Sequence, residues 1–266
     1  MIRRMISSLP QIRGQHRLQI IFDSILGPAK LRARQNIKLQ GFYSSIQDMA
    51  FLRKKSENPL LEELICGLPE SATFVDCGAN CGFYSALASS VLGESGMVIS
   101  IEPSPREYKR LLYARESNTS ACQWITANCA LGPTEGVAAI DSGVGHTGMN
   151  QIARKVSSEE SKQSSNKVIP VFIERLDRIL DASTHERPTV DLVKIDVEGY
   201  ELQVVRGLVA HLQAKRISKL VIEITDRFLK MNGDSKEMLF DFMKIHGYFP
   251  TVQSNEWQYD EVFVTK

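Results

Sequence analysis

The stretch Val75-Asp76-Cys77-Gly78-Ala79-Asn80-Cys81-Gly82-Phe83 decides the fold of this chain, because it joins a predicted strand to a predicted helix. Thr73–Cys77 predicts the short strand, and the apolar residues from about Tyr84 to Leu92 predict the helix. Glycines at such a junction let the backbone approach a ligand that a Cβ would block. The stretch therefore predicts a ligand site at the end of the first strand of an α/β sheet.

Strands and helices alternate on both sides of this junction. Asn58 and Pro59 predict an N-cap and first helical residue before it. After it come a strand at Met97–Ile101, a helix that begins with a capping box at Ser104 to Glu107, and a strand at Cys122–Ala127. A β-α-β-α-β order is typical of a parallel sheet covered by helices.

The alternation resumes near the C-terminus after an irregular region. Val190–Ile195 predicts a buried parallel strand, and a single helix is expected from about Tyr200 to Ala214. A strand at Leu220–Ile224 and a helix capped by Asp234 or Ser235 follow. The last residues predict a hairpin, with strands at 248–253 and 262–265.

This pattern predicts one main domain with an extension. Residues 1–57 are expected to form a basic N-terminal extension or cap, and residues 58–266 the α/β domain. Within the domain, residues 132–189 form an insert-like segment that contains the polar, low-complexity loop Ser157–Asn166. We expect this segment to carry specificity for a substrate, because loops often do so.

The charge of the chain is distributed unevenly. The 266 residues carry a net charge of +1, but residues 1–38 hold eight basic residues against Asp23 alone, which makes that segment +7 and the remainder −6. A nearly neutral chain does not indicate a nucleic-acid partner. The basic segment could instead contact an anionic surface or, as an alternative, serve as an organelle transit peptide.

The cysteines and the hydropathy indicate a soluble protein of a reducing compartment, and we expect it in the cytoplasm. Five cysteines lack the CxxC spacing of a zinc site, and buried thiols in reduced form are the expected state. The chain has no run of about 18 apolar residues that would predict a membrane span. No metal ion is predicted.

Two acidic residues at strand ends suggest an adenosine ligand. The first loop has the pattern D-x-G-x-N-x-G, in which Asn80 replaces the middle glycine of the dinucleotide fingerprint. Asp76 could meet the ammonium group of a ligand, and Glu102, 20 residues after Gly82, could bind both hydroxyls of a ribose. The pattern favours a nucleoside with a charged amino-acid tail over a pyrophosphate.

A second block follows the buried strand at 190–195. It reads Lys194-Ile195-Asp196-Val197-Glu198-Gly199-Tyr200-Glu201, and it precedes a helix at the edge where an α/β sheet binds ligands. If the strand extends this far, alternation places Asp196 and Glu198 on the same side. Helix N-terminal acids are the alternative explanation for Glu198 and Glu201, but they explain Asp196 less well.

These blocks resemble the FkbM family of S-adenosylmethionine-dependent methyltransferases, over roughly Asn58 to Lys266. The two specific matches are FVDCGANCGFYS at 74–85 and DLVKIDVEGYELQVVRG at 191–207, supported by IEPSP at 101–105 and ANCALG at 127–132. The resemblance implies a class I methyltransferase fold: a Rossmann-like, doubly wound, mostly parallel seven-stranded sheet with an antiparallel C-terminal hairpin. Cys77 and Cys81 depart mildly from the hydrophobic residues that are usual in the family.

The resemblance also implies roles for individual residues, with S-adenosylmethionine as the cofactor. Five residues of the first loop would surround its methionine part: Asp76, Gly78, Ala79, Asn80 and Gly82. Glu102, followed by Pro103, would hold the ribose, and Asn128 and Ala130 would border the adenine. Asp196 would face the methyl-transfer site.

The expected reaction is methylation of a hydroxyl group on a sugar, glycan or secondary metabolite. Asp196 is the first candidate for the catalytic carboxylate that orients the hydroxyl and takes its proton, and Glu198 is the second. His146, in a glycine-rich turn, is a third candidate. The alternatives are N-methylation on the same fold, a nicotinamide-dependent oxidoreductase, which the missing middle glycine disfavours, and a non-catalytic binding protein.

Overall fold

A computed structural model describes residues 29–32, 37–41, 58–141, 152–153, 168–184 and 189–266. The described residues form three sheets. The strands are β1 Ala29–Arg32, β2 Lys38–Gly41, β3 Thr73–Cys77, β4 Met97–Ile101, β5 Gln123–Ala127, β6 Ala130–Leu131, β7 Gly136–Asp141, β8 Ile152–Ala153, β9 Val168–Glu174, β10 Val190–Ile195, β11 Ile217–Ile224, β12 Tyr248–Pro250 and β13 Tyr259–Thr265. The helices are α1 Pro59–Cys66, α2 Phe83–Val91, α3 Pro105–Ser117, α4 Leu176–Ser183, α5 Glu201–Arg206, α6 Val209–Gln213, α7 Asp226–Met231 and α8 Lys236–Ile245.

The central sheet has seven strands in the order β12-β13-β11-β10-β3-β4-β5. The neighbours from β11 to β5 pair in parallel, whereas β13 pairs antiparallel with both β11 and β12. The predicted mostly parallel seven-stranded sheet with an antiparallel C-terminal hairpin is therefore confirmed. The carboxyl ends of the parallel strands and the first residues of β13 meet at one edge, which we call the carboxyl edge.

Apolar side chains cover both faces of this sheet. On one face, α1, α2 and α3 bury residues such as Leu61, Leu87 and Ala114 against the strands. On the other face, α5 and α8 bury Leu202 and Leu239. Because helices on both faces exclude water from the strands, the sheet forms a rigid base for the loops at the carboxyl edge.

The local signals were most accurate where a strand or a cap is explicit in the sequence. Met97–Ile101 and Val190–Ile195 form strands with the predicted boundaries. The Asn58 side chain accepts a hydrogen bond from the Leu61 amide at 2.8 Å, as an N-cap does, and Ser235 caps α8.

Two details of the predicted helices were wrong. The single helix expected from Tyr200 to Ala214 is two short helices, α5 and α6, because the chain breaks at Gly207, where a Cβ would lie 2.2 Å from the Gly132 carbonyl oxygen. The capping box before α3 does not form. The Ser104 side chain makes no capping hydrogen bond, and Glu107 pairs with Arg110 instead.

Part of the predicted N-terminal extension packs into the domain core. In β2, Leu39 is completely buried, and Ile37 just before it is also buried. The Lys38 amide donates to the Asn118 side chain at 2.9 Å, and Arg110 of α3 donates to the Gln40 carbonyl at 2.7 Å. The strands β1 and β2 thus form a hairpin held against α3. The division of the chain at residue 57 stays a proposal.

The insert-like segment contributes a second sheet, in the order β6-β9-β7-β8. Ile140 and Val171 are buried in a small apolar cluster with Ala130 of β6, whereas Val137 and Phe172 are paired across β7 and β9 and are exposed. His146, the glycine-rich turn around it and the polar loop at 157–166 lie outside the described residues, as does most of the basic segment.

Candidate functional site

A buried lysine lies between two carboxylates at the carboxyl edge. Lys194 of β10 is only 4% exposed, and it lies directly opposite Asp76 of β3 in the parallel register. Its ammonium nitrogen Nζ is 3.1 Å from Oδ2 of Asp196 and 3.4 Å from Oδ1 of Asp76. The same nitrogen donates to the Gly78 carbonyl at 3.3 Å. The two sequence blocks at 74–85 and 191–207 are therefore joined by one cation.

Lys194 carries a charge throughout the ordinary pH range. Burial by itself would lower the pKa of its ammonium group, but the negative charges of Asp196 and Asp76 outweigh that effect and raise the pKa. Lys194 belongs to the second sequence block, but the sequence alone predicts no role for it. A lysine within a run of buried apolar residues is the signal that could have identified it.

Asp76 lies at the end of a chain of hydrogen bonds that runs through the core. Ser85 donates to Oδ2 of Asp76 at 2.6 Å, Ser100 donates to Ser85 at 2.7 Å, and the Trp124 indole donates to Ser100 at 2.8 Å. The Asp76 side chain is completely buried, and its Oδ1 atom has the Lys194 charge nearby but no hydrogen-bond partner. This carboxylate is therefore fixed in position below the first loop.

Glu102 joins the first loop to the loop after β4. Its Oε2 atom accepts a hydrogen bond from the Asn80 amide at 2.9 Å, and Oε1 accepts one from the Ser104 amide at 2.8 Å. Asn80 adopts a left-handed backbone conformation, with φ of 50°. Burial raises the pKa of Glu102 to about 7, with the two amide hydrogen bonds opposing that shift.

Asn128 joins the loop after β5 to the loop after β4. The Asn128 side chain donates to the carbonyl oxygens of Glu102 at 2.8 Å and Pro103 at 3.1 Å. Ala130 is buried at the start of β6. The loops that follow β3, β4 and β5 are consequently connected to each other through Glu102.

The glycines of the first loop serve protein packing. Gly78 has a φ of 78°, and a Cβ on it would lie 1.9 Å from the Asp196 carbonyl oxygen. Gly82 has a φ of 84°, and a Cβ there would lie 2.8 Å from a methyl carbon of Leu111 in α3. The space that each missing Cβ leaves is thus occupied by protein atoms, from Asp196 beside Gly78 and from Leu111 beside Gly82.

Glu198 lies in a tight turn after β10. The strand ends at Ile195, so the expected alternation of Asp196 and Glu198 along a strand was wrong. Glu198 instead has a φ of 55°, which costs energy for a residue with a side chain and is common at functional sites. Burial raises the pKa of Glu198 to about 8, and the charge of Asp196, two residues earlier in the chain, adds to this increase.

Glu201 stabilises this turn from within the protein. Its Oε1 atom accepts hydrogen bonds from the amides of Gly199 at 2.9 Å and Val197 at 3.2 Å. The Glu201 side chain is almost fully buried, and burial raises its pKa to about 7. Glu201 therefore has a local role at the N-terminus of α5, in agreement with the alternative explanation that the sequence offered for it.

Two further carboxyl groups that the sequence analysis did not identify belong to this site. Glu223 of β11 and Asp260 of β13 are directly opposite each other in the antiparallel register. Burial, with the charge of Asp196 as the second cause, raises the pKa of Glu223 to about 9 and that of Asp260 to about 6. The Gln258 side chain donates to Glu223 at 2.6 Å.

The described part of the chain shows neither a metal site nor a membrane span. No group of three or more potential ligands is arranged for a metal ion among the described residues. None of the described helices combines the length and the apolar composition needed to cross a bilayer. Three of the five cysteines, Cys77, Cys81 and Cys122, are buried free thiols.

The sheet and its site define the class of protein. A seven-stranded sheet with one reversed strand, and with acidic residues at the ends of the first two parallel strands, is the class I methyltransferase type of Rossmann-like fold. A family model described as the methyltransferase FkbM domain matches residues 76–250, which is more than half of the chain. The chain belongs to the FkbM methyltransferase family.

Solved structures with a similar fold include three methyltransferases or related proteins. A TehB-like S-adenosylmethionine-dependent methyltransferase from Corynebacterium glutamicum is 13% identical, with 77% of this chain and 87% of that chain covered and a TM-score of 0.40. Fibrillarin from Aeropyrum pernix, solved with S-adenosylmethionine, is 13% identical, with 77% of this chain and 74% of that chain covered and a TM-score of 0.41. Precorrin-6y C5,15-methyltransferase from Geobacter metallireducens is 12% identical, with 80% of this chain and 90% of that chain covered and a TM-score of 0.41. No curated protein sequence matches the chain.

S-adenosylmethionine is the cofactor of this class, and the residues at the carboxyl edge fit it. Each Glu102 oxygen accepts one amide hydrogen, which leaves lone pairs for ribose hydroxyls. Asp76 retains an oxygen without a hydrogen-bond partner. The family match also decides between the two enzyme classes, because it identifies a methyltransferase and not a nicotinamide-dependent oxidoreductase.

Proposed function

We propose that this methyltransferase acts on a hydroxyl oxygen of an uncharged acceptor, such as a sugar, a glycan or a secondary metabolite. The observation that supports this most directly is the set of carboxyl groups around one lysine at the carboxyl edge. Carboxyl oxygens accept hydrogen bonds from hydroxyl groups, and they repel phosphate and other anions. A nucleic-acid acceptor is therefore disfavoured.

The cofactor supplies a methyl group that is already activated by its sulfonium charge. The chain must then align the acceptor oxygen with that methyl group and remove one proton. Asp196 is the first candidate for both tasks, because it is partly exposed at the carboxyl edge and its Oδ2 atom is held by Lys194. Glu198, with a pKa of about 8, is the second candidate for the base.

The same residues would position the cofactor. We assign the methionine part to the first loop, from Asp76 through Gly82, and the ribose to Glu102. Asn128 and Ala130 would border the adenine, since Asn128 is bonded to the Glu102 and Pro103 carbonyls. These assignments follow the family resemblance and the loop that Glu102 organises.

N-methylation is the second candidate function, and one observation favours it. A protonated amine would be attracted to the partly exposed carboxylate of Asp196, which could then accept its proton. The two functions differ in the atom that gains the methyl group, which the product reveals.

We also propose that the basic residues of segment 1–38 contact an anionic surface. Lys38 does not contribute freely to such a contact, because its ammonium group donates to the Ser117 carbonyl at 3.0 Å. The cytoplasm remains the proposed location.

Two measurements test the proposed function. Isothermal titration of the full chain with S-adenosylhomocysteine should show binding that weakens in Glu102→Ala and is unaffected by exchange of the exposed Glu116 for Gln. Transfer of labelled methyl groups to a cell extract, followed by identification of the product, should yield a methyl ether. A folded wild-type protein that binds no S-adenosylhomocysteine would contradict the cofactor assignment, and a methylamine product would contradict O-methylation.

A further inference from the structure

Lys194 occupies a position where an ammonium group is expensive to bury. It lies in the central strand β10, between β3 and β11, and its neighbours in the strand are the completely buried Val193 and Ile195. Moving a charge out of water costs several kcal/mol per ion, as an order of magnitude, unless partners compensate for it. The partners here are the carboxylates of Asp76 and Asp196.

Stability alone does not account for this arrangement. A buried ion pair is often no more stable than well-packed apolar side chains of the same volume. The two partners of Lys194 belong to the two sequence blocks that define the site. Asp76 lies in β3, and Asp196 follows the neighbouring strand β10. A cation shared by these blocks fixes their carboxylates relative to one another.

We propose that Lys194 is a positioning residue for methyl transfer, whose ammonium group holds the Asp196 carboxylate by its Oδ2 atom and anchors it to Asp76 of the first loop. This inference rests on the proposed function, because it assigns Asp196 to the acceptor. With Oδ2 engaged, the other oxygen of Asp196 remains for the acceptor hydroxyl. Asp76 in turn is fixed by Ser85, so the position of Asp196 is tied to the core.

The second contribution of Lys194 is to the charge of the site. The carboxyl groups that interact with it come from several elements: Asp76 on β3, Glu102 after β4, Asp196 and Glu198 after β10, and Asp260 on β13. Tyr84 of α2 places its ring 5.6 Å from the ammonium nitrogen. Lys194 lowers the pKa of both Glu198 and Asp260, in opposition to burial and to the charge of Asp196. Without the lysine, these two groups would hold their protons to higher pH.

Two substitutions separate charge from packing. Lys194→Met keeps the length of the side chain and removes the charge, whereas Lys194→Arg keeps the charge. Lys219→Met is the matched control, because Lys219 lies on the adjacent strand β11 and is exposed. Thermal unfolding of all three full-length variants verifies that each is folded before any comparison is made.

The first readout needs neither cofactor nor acceptor. Carbon-13 NMR of the carboxyl groups in the free protein follows the titrations of Glu198 and Asp260, which are assigned with Glu198→Gln and Asp260→Asn. We expect both titrations to move to higher pH in Lys194→Met and to remain in place in Lys194→Arg and Lys219→Met. Unchanged titrations in the folded Met variant would overturn the proposal, as would titrations that move equally in the Arg variant.

The second readout is steady-state methyl transfer with an acceptor from the extract screen. We expect Lys194→Met to lower kcat roughly tenfold to a hundredfold, with a much smaller change in the KM for S-adenosylmethionine and with the acidic limb of the pH profile moved to higher pH. Lys194→Arg should recover part of kcat. A folded Lys194→Met variant with the kcat of the wild type would overturn the proposal. So would a Lys194→Arg variant in which Glu198 and Asp260 titrate as in the wild type but kcat is no higher than in Lys194→Met.

The two readouts also separate this inference from the proposed function. If the wild-type protein transfers no methyl group, the proposed function fails while the titrations still report what Lys194 does to its neighbours. If Lys194→Met does not fold, Lys194→Arg tests the proposal. Unchanged titrations of Glu198 and Asp260 together with a partly retained kcat support it, and titrations displaced from those of the wild type overturn it.

Discussion

The carbonyl oxygen of Asp196 lies where a side chain on Gly78 would begin, only 1.9 Å from the position of a Cβ on that glycine. The first loop and the loop after β10 are therefore in backbone contact, and Asp196 also donates its amide to the Cys77 carbonyl at 3.1 Å. The parts of the site assigned to the cofactor and to the acceptor form one continuous structure. A change at Gly78 must move both.

We expect Gly78→Ala to destabilise the protein and to reduce methyl transfer. The added carbon meets rigid backbone, and overpacking of this kind costs about 1–3 kcal/mol, with a further penalty for a side chain at positive φ. Chemical unfolding monitored by circular dichroism measures this loss. Gly136→Ala is the control, because nothing lies within 4 Å of a Cβ built there. Equal stabilities of the two variants would show that the loops can separate without cost.

Asp196→Asn should lower kcat by roughly two to four orders of magnitude, the usual contribution of a general base. Glu198→Gln should have a smaller effect if Asp196 is the base, as we propose. The two variants are compared in the same labelled-methyl assay, with the exposed Asp241→Asn as control. A larger loss in Glu198→Gln would reverse the assignment, and full activity of Asp196→Asn would remove it.

The paired carboxyl groups at the carboxyl edge should make the protein less stable at alkaline pH. Burial raises the pKa of Glu223 from an ordinary value of 4.5 to about 9, so the folded state binds this proton more tightly than the unfolded state does. The resulting contribution is fully present below about pH 4.5 and is lost as the pH rises through about 9. We expect the free energy of unfolding in urea to fall between pH 6 and pH 9.

Glu223→Gln tests the source of this pH dependence. Glutamine keeps the oxygen that accepts a hydrogen bond from Gln258, but it has no proton to lose. The variant should resemble the wild type near pH 6 and be more stable than the wild type near pH 9. Glu116→Gln, an exposed change on α3, should leave the pH dependence as it is. A Glu223→Gln profile parallel to that of the wild type would place the titrating group elsewhere.

Strands and the positions of the main site residues could be predicted because their signals are local. Met97–Ile101 and Val190–Ile195 are apolar runs bounded by clear turns, and parallel strands place their carboxyl ends at the same edge. Asp76 near the end of β3, Glu102 just after β4 and Asp196 just after β10 therefore lie at the same edge of the sheet, as their places in the sequence predict.

Features that depend on strand register or on tertiary contact could not be predicted. The pairing of Glu223 with Asp260 joins residues of two antiparallel strands, and their register follows from packing of the hairpin. The break in the predicted helix at Gly207 arises because Gly132, 75 positions earlier, approaches it. The role of Lys194 depends on its contacts with Asp76 and Asp196, and Asp76 lies more than 100 positions earlier in the chain.

Leu39→Ala should reveal that the N-terminal hairpin is part of the folded domain. Leu39 is completely buried within the apolar cluster shared by α1, α2 and α3, and deletion of such a side chain costs about 2–5 kcal/mol. Leu60→Ala, at a position on α1 that is 36% exposed, should cost much less. Urea unfolding compares the two. A Leu39→Ala variant as stable as Leu60→Ala would mean that the domain folds without the hairpin.

Asp177→Asn should weaken the protein at neutral pH and lose this effect in acid. Asp177 accepts hydrogen bonds from the amides of Ala210 and His211, both at 3.2 Å, and pairs with the His211 ring at 2.7 Å. Burial alone would raise the pKa of Asp177, but these hydrogen bonds outweigh it and lower the pKa. Its contribution to stability is therefore present above its ordinary value of 3.8 and disappears as the pH falls through the lowered value.

Asp177→Asn should lower the free energy of unfolding by about 1–3 kcal/mol at pH 7. The donors around Asp177 bond to two carboxylate oxygens, whereas asparagine offers them one acceptor oxygen. Urea unfolding at a series of pH values from 7 to 3 measures the difference from the wild type, which should shrink toward the acid end. Asp181→Asn is the control, since Asp181 is 64% exposed and lies 3.6 Å from the other ring nitrogen of His211. A loss at Asp177 that stays constant with pH would show that the shape of the side chain matters there and its charge does not.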